Sequence, residues 1–505
     1  MSGLHLEIQW LVLAPAAVPA LAAAAVLLLD AALPRRERPV LAAGMLGLGI
    51  ALSVAAWQAW QARHGYPTVS LCPPLESTTE LVSGGGGVAP SCLVQVSAGG
   101  SLLQVTAALG GLGALALLAR SARAKGDSPD LAIPIVLVLA TVCGAAVVAG
   151  ARDLGSWLIG LELATVPVVA FIALRARRSG ADAMPLLTTA VLSFALAAVG
   201  AALWVTGTGT IRLSPAVAWM SGLPGEETVG ISTTPPSATS AVVALALVLL
   251  IASVAFKLAL APFHLWAPPT YARATPAGTV LLVGVSSVAA LGALLVLISA
   301  ASAAPTRPST GLVLGLLAAV SMIGGAIMAL RQDDPVRLLA WSGVTQSGWV
   351  VAPLVSGRAD GASAAAGYLV IYVSAATLAF VVSAVVGRRL GDHAGLLRRS
   401  PLLGAGLALA LLTLAGLPPA IGGLVAKVAV LRALAADGQW ALIAVAVVAA
   451  VIAIAAYLRW LAVLVGPPKG PSETPGRATT IVVMIALAVV VLLALAPALV
   501  LGLPT

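Results

Sequence analysis

Four ionisable side chains stand inside runs that are otherwise apolar: Glu162 in GSWLIGLELATVPVVAF, Lys257 and His264 in SVAFKLALAPFHLWAPPTY, and Lys427 in LTLAGLPPAIGGLVAKVAVL. A charge held in hydrocarbon is costly, so its presence marks a position with work to do. Only four of the 27 basic residues are lysines (Lys125, Lys257, Lys427 and Lys469), and two of those four fall inside the runs. Buried lysine can give up its proton, whereas arginine keeps its own. The choice of residue points to proton transfer. Nearly all of the eighteen acids lie between runs or at their ends, which leaves Glu162 as the lone mid-run carboxylate. Pairing Glu162 with Lys257 would keep both ionised, and loosening the pair would favour the neutral amine and release a proton. No covalent step is needed. A carboxyl satisfied locally, for instance by Thr165, is the competing reading of Glu162. A lysine reaching for a lipid headgroup is that of the two lysines, and it suits Lys257 poorly, about 17 residues into its run. His264 could extend a water-linked chain, since imidazole exchanges protons near neutrality, or could cap the helix end beside Trp266.

Both lysines come with helix breakers. Pro262 cannot donate to the carbonyl of Leu258, which predicts a kink or opening about one turn beyond Lys257. Gly416, Pro418 and Pro419 stand two turns ahead of Lys427. Two interrupted helices in two halves of a chain are a transporter pattern.

The elements that must position these groups are membrane helices. With 505 residues, 60% of them hydrophobic and 9% charged, and a mean hydropathy of +1.07, the chain reads as a single all-α polytopic membrane domain over 1–505. Runs of roughly 20 residues, enough to span a bilayer, occur near 10–33, 40–60, 99–119, 132–150, 154–174, 184–206, 240–266, 278–301, 311–330, 338–356, 362–386, 402–434, 440–464 and 479–502. These fourteen are numbered spans 1 to 14. The first nine residues lack a basic leader region, so span 1 is expected to stay in the membrane.

The net charge of +9 does not indicate nucleic acid, because the basic residues sit in short loops between runs. Alternate loops hold nineteen and six of the basic residues, with Lys257 and Lys427 inside spans. The bias puts both termini on the extracytoplasmic side. Loops 61–98 and 207–239 then lie outside, and their Gly, Pro, Ser and Thr content predicts irregular structure or short hairpins. The Gly84–Gly87 run has no preceding strand and no Lys-Ser/Thr after it, so it reads as a spacer and not a phosphate loop. Cys72 and Cys92 share the first loop and could close a disulfide there, while Cys143 reads as a small core residue. No cysteine or histidine spacing suited to zinc or haem is present. Trp57, Trp60, Trp157, Trp266 and Trp460 lie near span ends, as interfacial anchors do.

Taken together, FKLALAPFHLWAPPTY, RLLAWSGVTQSGW (337–349) and AGLPPAIGGLVAK (415–427) resemble the antiporter-like subunits of respiratory complex I. IQWLVLAPAAVPALAAAAVLLLDAALPRR (8–36) and LIGLELATVPVVAFIAL (158–174) are similar to subunit N of bacterial NADH-quinone oxidoreductase in particular. The resemblance covers nearly the whole chain. It implies three N-terminal helices (1–131), two inverted five-helix repeats (132–301 and 311–464) with helices 7 and 12 discontinuous, and a C-terminal helix (479–502). It also implies that Glu162, Lys257 and Lys427 are the family's helix-5 glutamate, helix-7 lysine and helix-12 lysine. Three positions depart: Ser287 stands where a helix-8 lysine is usual, Gln346 where a histidine is common, and Pro185 where a helix-6 lysine is frequent. Ser287 and Gln346 can hold water but cannot store a proton charge.

The implied function is proton movement across a bacterial plasma membrane, coupled to electron transfer from NADH to quinone. FMN, iron–sulfur clusters, NADH and quinone would belong to partner subunits, because this chain offers no ligand set for them. The implied neighbours are an antiporter-like subunit and small K-type and J-type membrane subunits. A multi-subunit cation/proton antiporter shares the helix-5 and helix-7 pattern, and the three departures would also fit a non-conducting scaffold.

Overall fold

A backbone in hydrocarbon has no water to satisfy it and must close its own hydrogen bonds, so the apolar runs become helices. The computed structural model of the protein describes residues 8–33, 36–66, 68–72, 92–123, 131–175, 183–213, 237–301, 307–468 and 476–502. Among the described residues, ten helices are long and apolar enough to cross a bilayer: Trp10–Ala32, Glu37–Arg63, Ala98–Ala119, Ala132–Gly150, Leu154–Arg175, Met184–Thr208, Pro276–Ala301, Ser309–Leu330, Ala359–Val386 and Trp440–Val465. These are spans 1 to 6, 8, 9, 11 and 13. The other four expected runs are helical too, but shorter or broken. Span 10 is Pro335–Val351 and span 14 is Arg477–Leu495. Span 7 is a helix from Ser237 to Lys257 that stops and resumes over Ala267–Arg273. Span 12 is Pro401–Ala415 followed, after a gap, by Ile421–Ala436. Helices 7 and 12 are therefore discontinuous.

Two details differ from the sequence reading. The helix of span 7 ends at Lys257 itself and not a turn beyond it. Ala259 takes a left-handed φ of 54°, and the Leu260 amide closes back on the Ala255 carbonyl at 2.9 Å, so the chain leaves the helix before Pro262 can act. Span 5 is also interrupted, at Ala164 and Thr165, between Leu154–Leu163 and Val166–Arg175. Pro167 withholds an amide and disfavours helical geometry at Val166, which accounts for the break two residues after Glu162.

Loops that alternation assigns to one face are joined there. Strand β1 (Val69–Ser70) pairs antiparallel with β2 (Val94–Gln95), Val94 bridges to Ala151 and Asp153 to Arg212. This small ladder ties the loops after spans 2, 4 and 6. Cys72 and Cys92 are bonded beside it. Gln58 Nε2 donates to the Leu11 carbonyl at 2.5 Å and Arg63 donates to that of Leu499, which brings the start of span 1 and the segment after span 14 to the same face. The arginine-rich loops meet on the other face, through Arg388–Asp334 at 3.1 Å and the Leu390 amide on the Asp333 carbonyl at 3.0 Å. His393, without signal in the sequence, is fully buried in this linker. Burial holds its imidazole below the usual range, and it accepts from Trp460 Nε1 at 3.3 Å. The Gly84–Gly87 run and residues 214–236 lie outside the described residues.

Spans 4 and 5 pack backbone to backbone. A Cβ at Gly144 would lie 2.3 Å from the Ala164 amide nitrogen and 2.7 Å from the Gly160 carbonyl, so glycine is required for the approach that sets Glu162 in place. Gly144→Ala is expected to destabilise the fold by about 1–3 kcal/mol, the usual cost of overpacking. Gly324, with nothing within 4 Å of its Cβ direction, is expected to accept alanine without loss. Thermal unfolding of the two purified variants checks the contrast.

Candidate functional site

The break in span 7 satisfies its own polar groups and so leaves the lysine free. The Phe256 carbonyl accepts from Trp266 Nε1 at 2.7 Å, and the Ala261 amide donates to Ser321 Oγ on span 9 at 2.9 Å. The left-handed Ala259 costs roughly 1–2 kcal/mol and turns the chain out of the helix at the amine. Lys257 Nζ then reaches span 5, donating to Glu162 Oε1 at 3.0 Å and to Thr165 Oγ1 at 2.9 Å. Thr165 Oγ1 in turn donates to the Leu161 carbonyl at 2.7 Å, which orients its lone pairs toward the ammonium. The lysine side chain is 3% exposed and the carboxylate 19%. One partner is sealed in the bundle and the other is partly exposed. Removing either from such a pair leaves an uncompensated buried charge, at about 3–5 kcal/mol.

Lys427 solves the same problem differently. The helix Pro401–Ala415 ends at Gly416, whose φ of 76° is left-handed, and the carbonyls of Leu414 and Ala415 are left beyond the reach of the helix's own amides. Lys427 Nζ donates to the Leu414 carbonyl at 3.1 Å and to that of Ala415 at 2.6 Å. The ammonium thus caps the negative end of the first half-helix from within the second. It also lies 5.4 Å from the ring centroid of Trp349, a distance at which an aromatic face attracts a cation. A Cβ at Gly416 would press on Lys427 Cδ at 3.0 Å, so glycine there serves both the turn and the fit.

Of the residues singled out in the sequence, Glu162 and Lys257 come together, while Lys427 sits in its own cluster. His264 is half-buried after the break, its ring 5.0 Å from that of Trp341. Its Nδ1 is buried without a partner, and no hydrogen bond to Lys257 is found among the described residues. Thr165 serves the lysine, whereas the sequence offered it as a partner of Glu162. Pro185 lies in the first turn of span 6, where its missing amide costs nothing. Ser287 follows a π-helical turn, Leu282–Ser286, in span 8 and donates to the Leu282 carbonyl at 3.2 Å.

Gln346 stands at the centre of a buried network that the sequence did not disclose. Its Nε2 donates to the same Leu414 carbonyl that holds Lys427, at 3.3 Å, and to Tyr457 Oη at 3.2 Å, while its Oε1 accepts from Tyr368 Oη at 2.5 Å. Tyr457 Oη also bonds Ser342 Oγ. Among the described residues no three His, Cys, Asp or Glu side chains gather as metal ligands.

A hydrogen bond to a charged group is worth about 1.5–3 kcal/mol, and Thr165 supplies one to Lys257. Thr165→Val is accordingly expected to destabilise the fold by about that amount, with Thr165→Ser restoring most of it. Thermal unfolding of the purified variants checks this.

A family described as "NADH:quinone oxidoreductase/Mrp antiporter, TM" matches residues 151–453. Among curated relatives, NADH-quinone oxidoreductase subunit N 2 of Streptomyces griseus subsp. griseus is 33% identical over 490 residues, covering 94% of this chain and 86% of its own. Subunit N of Salinispora tropica is 36% identical over 409 residues, covering 76% of each chain. Among solved structures, a chain of respiratory complex I from Thermus thermophilus with bound aureothin superposes with a TM-score of 0.74 at 27% identity, over 97% of this chain and 98% of that one. A chain of the Mrp complex from Dietzia sp. shares the fold, with a TM-score of 0.77 at 19% identity over 98% of this chain and 96% of that one. The chain described here therefore belongs to the NADH:quinone oxidoreductase/Mrp antiporter transmembrane family, among the antiporter-like membrane subunits called N.

Proposed function

We propose that the Lys257–Glu162 pair is the switch by which this proton-translocating subunit couples electron transfer elsewhere in its complex to proton movement through its own interior. Lys257 is the carrier, Glu162 its modulating partner, and Lys427 the exit-side or inter-subunit link. The observation that carries the reading is the asymmetry of the pair: a sealed ammonium 3.0 Å from a carboxylate that keeps 19% exposure. A charge arriving next to the exposed carboxylate can draw it away. Lys257 then loses its counter-charge in a low-dielectric site and gives up its proton, and the carboxylate's return favours protonation again. His264 would extend the path by way of water.

The subunit works with other membrane subunits of complex I. The finer reading is an antiporter-like neighbour with small K-type and J-type subunits, and NADH, FMN, iron–sulfur clusters and quinone held by partner chains. The pattern of arginine-rich loops supports a bacterial plasma membrane with both termini outside. The losses at Ser287, Gln346 and Pro185 favour a second reading, a scaffold that fills this position without conducting.

NADH-driven proton pumping in inverted membrane vesicles separates the two. Lys257→Ala in an assembled complex is expected to lose most of the pumping assigned to this subunit while quinone reduction persists. Unchanged pumping would make the chain a scaffold. Sodium-dependent transport without quinone-reducing partners would instead make it an antiporter subunit.

A further inference from the structure

Four of the chain's five tyrosines, Tyr271, Tyr368, Tyr372 and Tyr457, are buried inside the bundle. They are carried by spans 7, 11 and 13. Tyr271 lies just after the break of span 7, its ring stacked on Phe380 of span 11 with centroids 5.1 Å apart. Tyr372 lies two turns before Phe380 on span 11, facing span 10 next to Ser342, which bonds Tyr457. Its hydroxyl packs over Gly343, where a Cβ would be 3.0 Å from Oη. Tyr457 and Tyr368 are tied through Gln346 at 3.2 and 2.5 Å. Gln346 shares the Leu414 carbonyl with Lys427, and the Tyr368 ring stacks on Trp349, which faces that ammonium.

A phenol both donates and accepts a hydrogen bond. It can take a proton on a lone pair while releasing its own on the other side, so that charge passes without being stored. An amide cannot do this as readily, but Gln346 fixes two hydroxyls at once. The line of tyrosines runs through the position of Gln346, at which the resemblance anticipates histidine.

We infer that Tyr271, Tyr372, Tyr457 and Tyr368 form a neutral hydroxyl ladder, completed by intervening water, that carries protons between the break of span 7 and Lys427 in place of titratable side chains. The ladder rests on the proton-transport reading above. It predicts that this subunit conducts laterally although two of its expected charge-storing groups are gone, and that each hydroxyl is needed.

Phenylalanine deletes only the hydroxyl, so Tyr271→Phe, Tyr372→Phe and Tyr457→Phe can be compared one at a time in the intact complex. The readout is protons pumped per NADH oxidised in inverted vesicles, with assembly followed on native gels. Tyr66→Phe, outside the cluster, is the control, and Lys257→Ala and Lys427→Met are the references. The ladder predicts a fall to the Lys427→Met level in each cluster variant, with NADH oxidation and assembly retained and the control unchanged. A merely structural tyrosine would alter assembly or turnover together with pumping and leave the ratio alone. If Lys257→Ala lowers the ratio and all three phenylalanine variants keep it, the ladder is wrong and the switch stands. If Lys257→Ala and the three variants alike keep it, both are wrong.

Discussion

The two buried lysines answer one constraint, the cost of holding an ammonium group away from water. The fold offsets that cost in two ways. Lys257 is given a full counter-charge, Glu162, with a hydroxyl beside it. Lys427 is given two carbonyls at the end of a half-helix and the face of an indole. The first arrangement can be undone by moving one side chain, while the second is built into the backbone. This difference suits a switch in one half and a standing relay point in the other.

Both arrangements depend on helices that stop inside the membrane. A broken helix exposes amides and carbonyls that hydrocarbon cannot satisfy, and each must find a partner. In span 7 the partners are Trp266 and Ser321, which leaves the lysine available for Glu162. In span 12 the lysine is itself the partner. The break in span 5 falls beside Glu162 and frees Thr165 to turn its hydroxyl toward span 7. Glycine at Gly144 lets spans 4 and 5 approach closely enough to fix that geometry. The packing of small residues and the chemistry of the charged ones are thus one arrangement.

Much of this was legible in the residues. Apolar length gave the spans, arginine bias sorted the loops that the β1–β2 ladder and the Asp333–Leu390 contact do join, and lone charges in apolar text marked Glu162, Lys257 and Lys427. The breaker residues marked the interruptions near Lys257 and Lys427, but not that the first begins at the lysine itself, because Ala259 carries no signal for a left-handed turn. The interruption at Ala164 was hidden because Pro167 sits within an apolar run that reads as continuous. The tyrosine cluster could not be read at all. Its members are spread over spans 7, 11 and 13, and only the packing of those spans makes them neighbours. Their rarity in the chain was the one available hint.

The central claim is that Glu162 and Lys257 act as a coupled pair and not as two separate polar groups. The most direct measurement is a double-mutant cycle on protons pumped per NADH oxidised, using Glu162→Gln, Lys257→Met and the two together in assembled complexes. A coupled pair predicts that each single change causes most of the loss and that the double variant is no worse than Lys257→Met alone. Losses that multiply in the double variant, or full pumping with Glu162→Gln, would contradict the account.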